Sequence, residues 1–318
     1  MQIVLSGALP DPAEARELIR YMQDTAPTLC QWLGLYQAQE HTVDPSLYLC
    51  TPAEHYALQQ AKFHVHQAQH LSAGLAPLLL QRSKIPLQQP LQSPIWLAQL
   101  VHIAPSRDGA MLVPARELMI STTHSQALFD SFAPFLADTG FTFSSCTSDH
   151  WQVQVPSEFT TAAASPELVA SSNVNNWWTQ DQVTRPWRKL ANEFQMFSFG
   201  HPVNIERQQQ GLLPINSLWL YGGGSIAQLA PSTETSSPVK HLDQLQASFQ
   251  SRDWGDWLVQ LKQLENELFA KQGAHPPERL VLLGRERYII CTLPQAKPWP
   301  LRLFSKPQPW SRWWSPLS

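Results

Sequence analysis

The residues best suited to chemistry fall in one stretch, between Asn192 and Gly224. His201-Pro202-Val203-Asn204 is followed by Arg207 and Gly211, then by Pro214-Ile215-Asn216-Ser217-Leu218-Trp219-Leu220-Tyr221. Three glycines, Gly222, Gly223 and Gly224, close the run. Asn204 and Arg207, three apart, share one face of a helix. With His201 they could hold an anion or a backbone carbonyl, or they could fasten the corner that Pro202 fixes. Asn216, just before an apolar strand, reads as a ligand contact or as a buried hydrogen-bonding residue. Glycines at a strand end let a backbone approach a ligand closely. No Lys-Ser/Thr follows them, so they do not form a P-loop.

Two further groups invite a chemical reading. His55, His64, His66 and His70 cluster locally, and His66 and His70 at i, i+4 could share a metal on a helix. No Cys or acid completes that set, so a solvated surface is expected and no metal. Trp299, Trp310, Trp313 and Trp314 are interleaved with Lys297, Arg302, Lys306 and Arg312. Such a tail could bind a single strand or a membrane surface, or pack its indoles onto the fold or a partner subunit. Cys30, Cys50, Cys146 and Cys291 form neither a disulfide framework nor a zinc site, and read as buried thiols. A Gly-x-Ser-x-Gly elbow and a Rossmann fingerprint are both absent.

Composition limits the classes further. Only 15% of the 318 residues are charged, against about 25% in an ordinary domain. Apolar residues make up 43%, with 13 Trp, 27 Pro and 32 Gln. A disordered chain would show the reverse pattern. At a net charge of −3 no nucleic-acid partner is expected. No apolar run is long enough for a transmembrane segment, and no signal peptide is read at the N-terminus. The expectation is a cytoplasmic protein of two modest domains or one elaborated one.

The elements that must position these residues can be read from pattern. Gln2–Leu9 reads as a buried strand. Helices follow from Pro12 to Asp24 and from Pro27 to Gly34, and a capping box at Thr51 opens a third, continuing weakly toward Leu71. Residues 82–94 and 231–238 read as linkers. Ile95–Ile103 and Ala110–Val113 are expected to flank a hairpin turn through Asp108-Gly109. A helix over Ser121–Asp138 and strands at Phe141–Ser144 and Trp151–Val155 complete an α+β module. Thr161–Ser172 reads as a loop. Pro186–Phe199 is the clearest helix, with Trp187, Leu190, Ala191, Phe194 and Phe197 at helical spacing. A short helix Val203–Gln210, a strand from Ser217, a helix Asp253–Phe269 and strands Arg279–Leu283 and Tyr288–Leu293 follow.

The run from Asn192 to Gly224 resembles archaeal-type cofactor-independent phosphoglycerate mutases. More closely it resembles a bacterial phosphoglycerate-mutase-like family, also labelled a regulatory protein of pathogenicity-factor type. Trp96-Leu97-Ala98, Val101-His102-Ile103 and Arg107-Asp108-Gly109 look like the start of that family's middle module. Trp254, Trp257 and Leu264-Glu265 look like its C-terminal helix, and Phe304 to Pro309 like its closing segment. The resemblance implies an α/β fold, a reduced alkaline-phosphatase-like core from residues 1–94 and 161–318, with an α+β module inserted at 95–160.

Enzymes of that kind use two metal ions, a Ser nucleophile and Asp and His ligands. Here the first strand runs into Leu5-Ser6-Gly7-Ala8 without a carboxylate. Asp243, Asp253, Asp256, His241 and His275 lack the family spacing, and Gln99 stands where the bacterial relatives carry Asp. The expectation is a degenerate, non-catalytic protein with a regulatory role and no cofactor. It would bind a small phosphorylated metabolite or a protein partner, the ligand-binding candidates being His201, Asn204, Arg207, Asn216, Gly222, Gly223 and Gly224. Two alternatives stand beside it. One is an active metal-dependent mutase with rearranged ligands, which would need Mn or Mg. The other is a structural subunit that self-associates through Trp-rich surfaces near 177–187, 254–257 and 299–314.

Overall fold

In the computed structural model, residues 1–83, 90–107, 109–231, 238–294 and 309–314 are described. The expected linker residues 84–89 and 232–237, Asp108 of the hairpin turn, and tail residues 295–308 lie outside them. The protein is a mixed α/β chain with two five-stranded sheets. Its contacts divide it into two compact units, one from Met1–Val43 and Thr233–Ser318, the other from Asp44–Ser232.

In chain order, β1 (Gln2–Leu9), α1 (Pro12–Thr25), α2 (Pro27–Leu35) and β2 (Gln37–Thr42) come first. The second unit holds α3 (Pro45–Tyr48), α4 (Pro52–Gln60), α5 (Leu75–Ser83), β3 (Ile95–Ser106), β4 (Gly109–Val113), α6 (Ala115–Leu118) and α7 (Thr122–Phe132). It continues with β5 (Thr142–Cys146), β6 (His150–Gln154), α8 (Pro166–Ala170), α9 (Arg185–Phe199), α10 (Pro202–Gln209) and β7 (Ser217–Gly224). β8 (Val239–Leu242), α11 (Gln246–Ser251), α12 (Trp254–Leu264), β9 (Arg279–Gly284) and β10 (Arg287–Thr292) return to the first unit.

In the first unit the strands lie in the order β2-β10-β9-β1-β8. β1 is parallel to both β8 and β9, and β10 is antiparallel to its neighbours. Strand alternation sends Ile3, Leu5, Leu280, Leu282, Ile289 and Cys291 into one core with residues of α1, α2, α11 and α12. The parallel strands β8 and β9 require a crossover, which α11 and α12 supply. The helix expected to Phe269 changes at Glu265 into a π turn over Glu265–Phe269. The buried Glu265 carboxylate there accepts from the backbone N–H of Thr28 at 3.0 Å, satisfying an otherwise orphaned donor at the start of α2.

The second unit is organised by β3. β7 runs antiparallel to it over Ile95–Val101, β6 pairs with Trp96–Gln99, and β4 with His102–Ser106. Thus the strand 217–224, expected in a core apart from the middle module, completes that module's sheet. Residues 44–94 and 161–232 lie in one unit with 95–160. A twelve-residue apolar strand needs partners over its whole length, and β7 is one of them.

Some local expectations change. The third helix stops at Gln60, because Lys62 turns the chain at φ 49°, and it does not continue toward Leu71. Residues 166–170, read as loop, form α8, whose N-terminus is capped by Ser165 Oγ accepting from Leu168 N at 3.2 Å. The helix from Ser121 tightens after Phe132 into a 3-10 turn, Ala133–Leu136, where Pro134 lacks an N–H to continue it. α5 runs into the expected linker as far as Ser83; β2, β8 and α11 carry no reading in the sequence, and β2 is an edge strand of mostly polar residues without apolar alternation.

Candidate functional site

The motif between Asn192 and Gly224 forms a corner, a short helix and a central strand. α9 ends at Gly200, and His201 caps α10, its Nδ1 accepting from Val203 N at 3.2 Å. Burial lowers the imidazole pKa, which favours the neutral ring that this bond requires. Asn204 is buried and fully employed. Its Nδ2 donates to Ser198 O and Ile215 O, both at 2.8 Å, and its Oδ1 accepts from Ile215 N at 2.8 Å. Arg207 is also buried, Nε donating to Leu213 O at 2.9 Å and Nη2 to Leu118 O at 2.5 Å. Its Nη1 has no hydrogen-bond partner among the described residues.

Asn216 acts as an extra rung of the sheet. Its Oδ1 accepts from Ile103 N at 2.7 Å and its Nδ2 donates to Ile103 O at 2.9 Å, extending the β3–β7 ladder beyond Val101. The glycines are required by packing. Gly222, at φ 114°, lies where a Cβ would meet Ile95 O at 2.5 Å, and at Gly223 one would meet the Trp96 ring at 2.7 Å. At Gly224 it would meet Ala73 O at 2.7 Å. The structure therefore gathers all seven residues along β7 and its approach, each in contact with the protein itself.

A second constellation lies at the carboxyl ends of the parallel strands β1 and β8, where open α/β sheets ordinarily bind ligands. Ser6 Oγ donates to Asp243 Oδ1 at 2.6 Å. Nearby, Gly7 at φ 69° packs against Phe249, and the Arg285 guanidinium lies 5.5 Å from the centre of that ring. Asp11 faces two cations, Arg285 Nε at 3.7 Å and Arg252 Nη2 at 3.9 Å, and Glu14 faces Arg252 Nη1 at 3.9 Å. These residues do not fit a two-metal centre, because the positive charge of Arg252 and Arg285 already faces Asp11 and Glu14. Among the described residues no group of three or more His, Cys, Asp and Glu could hold a metal ion.

The other candidates separate. His66 and His70 lie outside any helix, so the i, i+4 geometry is not formed. His55 is buried against Tyr48 at 4.7 Å, and His70 Nδ1 lies 3.0 Å from Leu47 O. Of the tail, Trp314 is buried in the first unit, its Nε1 donating to Ala8 O at 2.8 Å, and Trp310 and Trp313 pack against the same core. Trp299, Lys297, Arg302 and Lys306 fall outside the described residues, as does the closing segment from Phe304 except its last residue, Pro309. Cys30, Cys50 and Cys291 are buried free thiols, while Cys146 is half-buried. No helix among the described residues is long and apolar enough to cross a membrane.

One polar link escaped the sequence reading. Glu54, read only as part of the Thr51 capping box, also accepts from Ser165 Oγ at 2.6 Å, tying α4 to the N-terminus of α8. The signal was absent because the two residues lie more than a hundred positions apart.

No family model matches the chain, and no curated protein does. Among solved structures it is similar to a cofactor-independent phosphoglycerate mutase from Thermoplasma acidophilum DSM 1728, with 13% identity and a TM-score of 0.33. That likeness covers 93% of this chain and 90% of the other. It is also similar to the PH0037 protein from Pyrococcus horikoshii, with 10% identity and a TM-score of 0.44, over 92% and 86% of the two chains. At such scores neither neighbour fixes the chemistry of this chain.

Proposed function

We propose that this chain is a degenerate, phosphoglycerate-mutase-like protein that works by binding and not by phosphoryl transfer, taking a small phosphorylated metabolite or a protein partner in a regulatory role. The observation that carries the reading is the make-up of the β1 and β8 strand ends. Two-metal phosphoryl transfer needs several carboxylates and imidazoles converging on the cations and a hydroxyl free to attack. Ser6 is instead held by Asp243, and Asp11 and Glu14 face Arg252 and Arg285. The bonding of Asn204 and Asn216 supports a structural role for the densest motif, as the clamp that seats β7.

The direct test is turnover. Incubated with 3-phosphoglycerate and Mn²⁺, the purified chain is expected to form no 2-phosphoglycerate above the protein-free control. Turnover that is abolished both by a chelator and by Ser6→Ala would overturn the reading in favour of an active mutase with rearranged ligands.

A further inference from the structure

Residues 309–314 end in a single helical turn, Ser311–Trp314, which joins no sheet. Residues 293–310 separate that turn from the end of β10, a length of chain that spans about 60 Å when fully extended. Connectivity therefore does not dictate where the turn lies, and its seat is set by what fits it. The turn packs against α2 in the first unit. Trp314 is 1% exposed and shares one apolar interior with Ala8, Leu29, Leu33, Trp257 and Leu261.

Two hydrogen bonds fix Trp314 in this socket, one from its side chain and one to its backbone. The indole Nε1 donates to Ala8 O at 2.8 Å, near the carboxyl end of β1. Arg287 Nη2 donates to Trp314 O at 3.2 Å, while Arg287 Nη1 donates to Glu40 Oε1 at 2.7 Å and so keeps the guanidinium in place. The socket wall is satisfied on its own side: Trp257 Nε1 donates to Gly7 O at 2.8 Å, and the Trp257 ring lies 6.0 Å from that of Trp314. Trp310 and Trp313 are only partly buried against the same core. The Arg312 guanidinium lies 4.7 Å from the centre of the Trp313 ring, a contact made within the segment itself. One fully buried aromatic with partly buried flanks is how a short helical peptide is anchored in a groove.

We infer that this socket is a docking site for a Trp-anchored helical turn, and that residues 309–314 are its tethered occupant, a plug whose release leaves the first unit folded. The turnover test above neither requires nor excludes it. To test it, a recognition sequence for a specific protease is inserted between Ala296 and Lys297 of the full chain, and the purified protein is cut there. A fluorescein-labelled peptide of residues 309–314 is then titrated into the cut and the uncut chain and followed by anisotropy. In the cut chain one peptide should bind per chain with a dissociation constant below about 100 μM. In the uncut chain the tethered segment competes at an effective concentration near about 1 mM, so the peptide should bind at least about tenfold more weakly. A peptide carrying Trp314→Ala should also lose at least about tenfold in the cut chain, because it lacks the anchor. Thermal melts of the cut chain should stay cooperative with and without added peptide. A cut chain that unfolds, a peptide that does not bind it, equal binding to the uncut chain, or equal binding of the Trp314→Ala peptide would each overturn the assignment.

Discussion

Asn204 stands in for a strand partner at Ile215 and, through Ser198, closes the end of α9. His201 beside it makes only a cap bond from a half-buried position. The two should differ when truncated. Asn204→Ala strands the Ile215 N–H and carbonyl, while Ser198 O keeps the His201 N–H, and is expected to cost about 2–4 kcal/mol; His201→Ala should cost about 0.5–1 kcal/mol as an ordinary cap loss. Urea unfolding midpoints of the two variants would check the order; equal effects would count against the clamp. The sequence showed where this cluster lies, because helix spacing puts Asn204 and Arg207 on one face. It could not say whether the cluster faces a ligand, since the carbonyls that satisfy it come from residues 198, 213, 215 and 118, brought together only by the fold.

Between β3 and β7 the glycines set how closely the strand can approach its neighbours. Gly222→Ala would place a Cβ against Ile95 O at a positive φ, and a loss of about 2–3 kcal/mol is expected from the strain and the displaced backbone. The link from α4 to α8 gives a pH-dependent prediction. Burial holds the Glu54 carboxyl above the usual range, outweighing the lowering effects of Ser165, Thr51 and Arg116. A raised folded-state pKa contributes stability below the unfolded value, near about 4.3, and that contribution is lost as pH rises through the folded value. Glu54→Gln, which can keep the capping box, should therefore gain on the wild type in thermal melts as pH is raised from 4 to 8. A constant difference across that range would refute the assignment. Apolar periodicity made β1, α9 and β9 legible. It failed at β2, whose edge position leaves polar residues, and at the π turn, where the requirement comes from the start of α2 rather than from local pattern.

At the scale of the whole molecule, the second unit is one uninterrupted stretch of chain, and its three hydrophobic clusters draw only on its own residues. A fragment spanning 44–231 is therefore expected to fold alone, with a single cooperative urea transition; a fragment without one would show that those cores are insufficient. The low charge of the chain bears on its chemistry as well as on its surface. With few Asp and Glu in the chain, Asp243 faces the Ser6 hydroxyl, and Asp11 and Glu14 face guanidinium groups; the proposed reading is that these carboxylates do not hold a pair of cations. The most direct measurement of that claim is Mn²⁺ binding, followed by the electron paramagnetic resonance signal of the free ion as the full chain is titrated. The account predicts no saturable binding at the level of one or two ions per chain. Two tightly bound ions per chain, released by Asp243→Asn or Ser6→Ala, would contradict it.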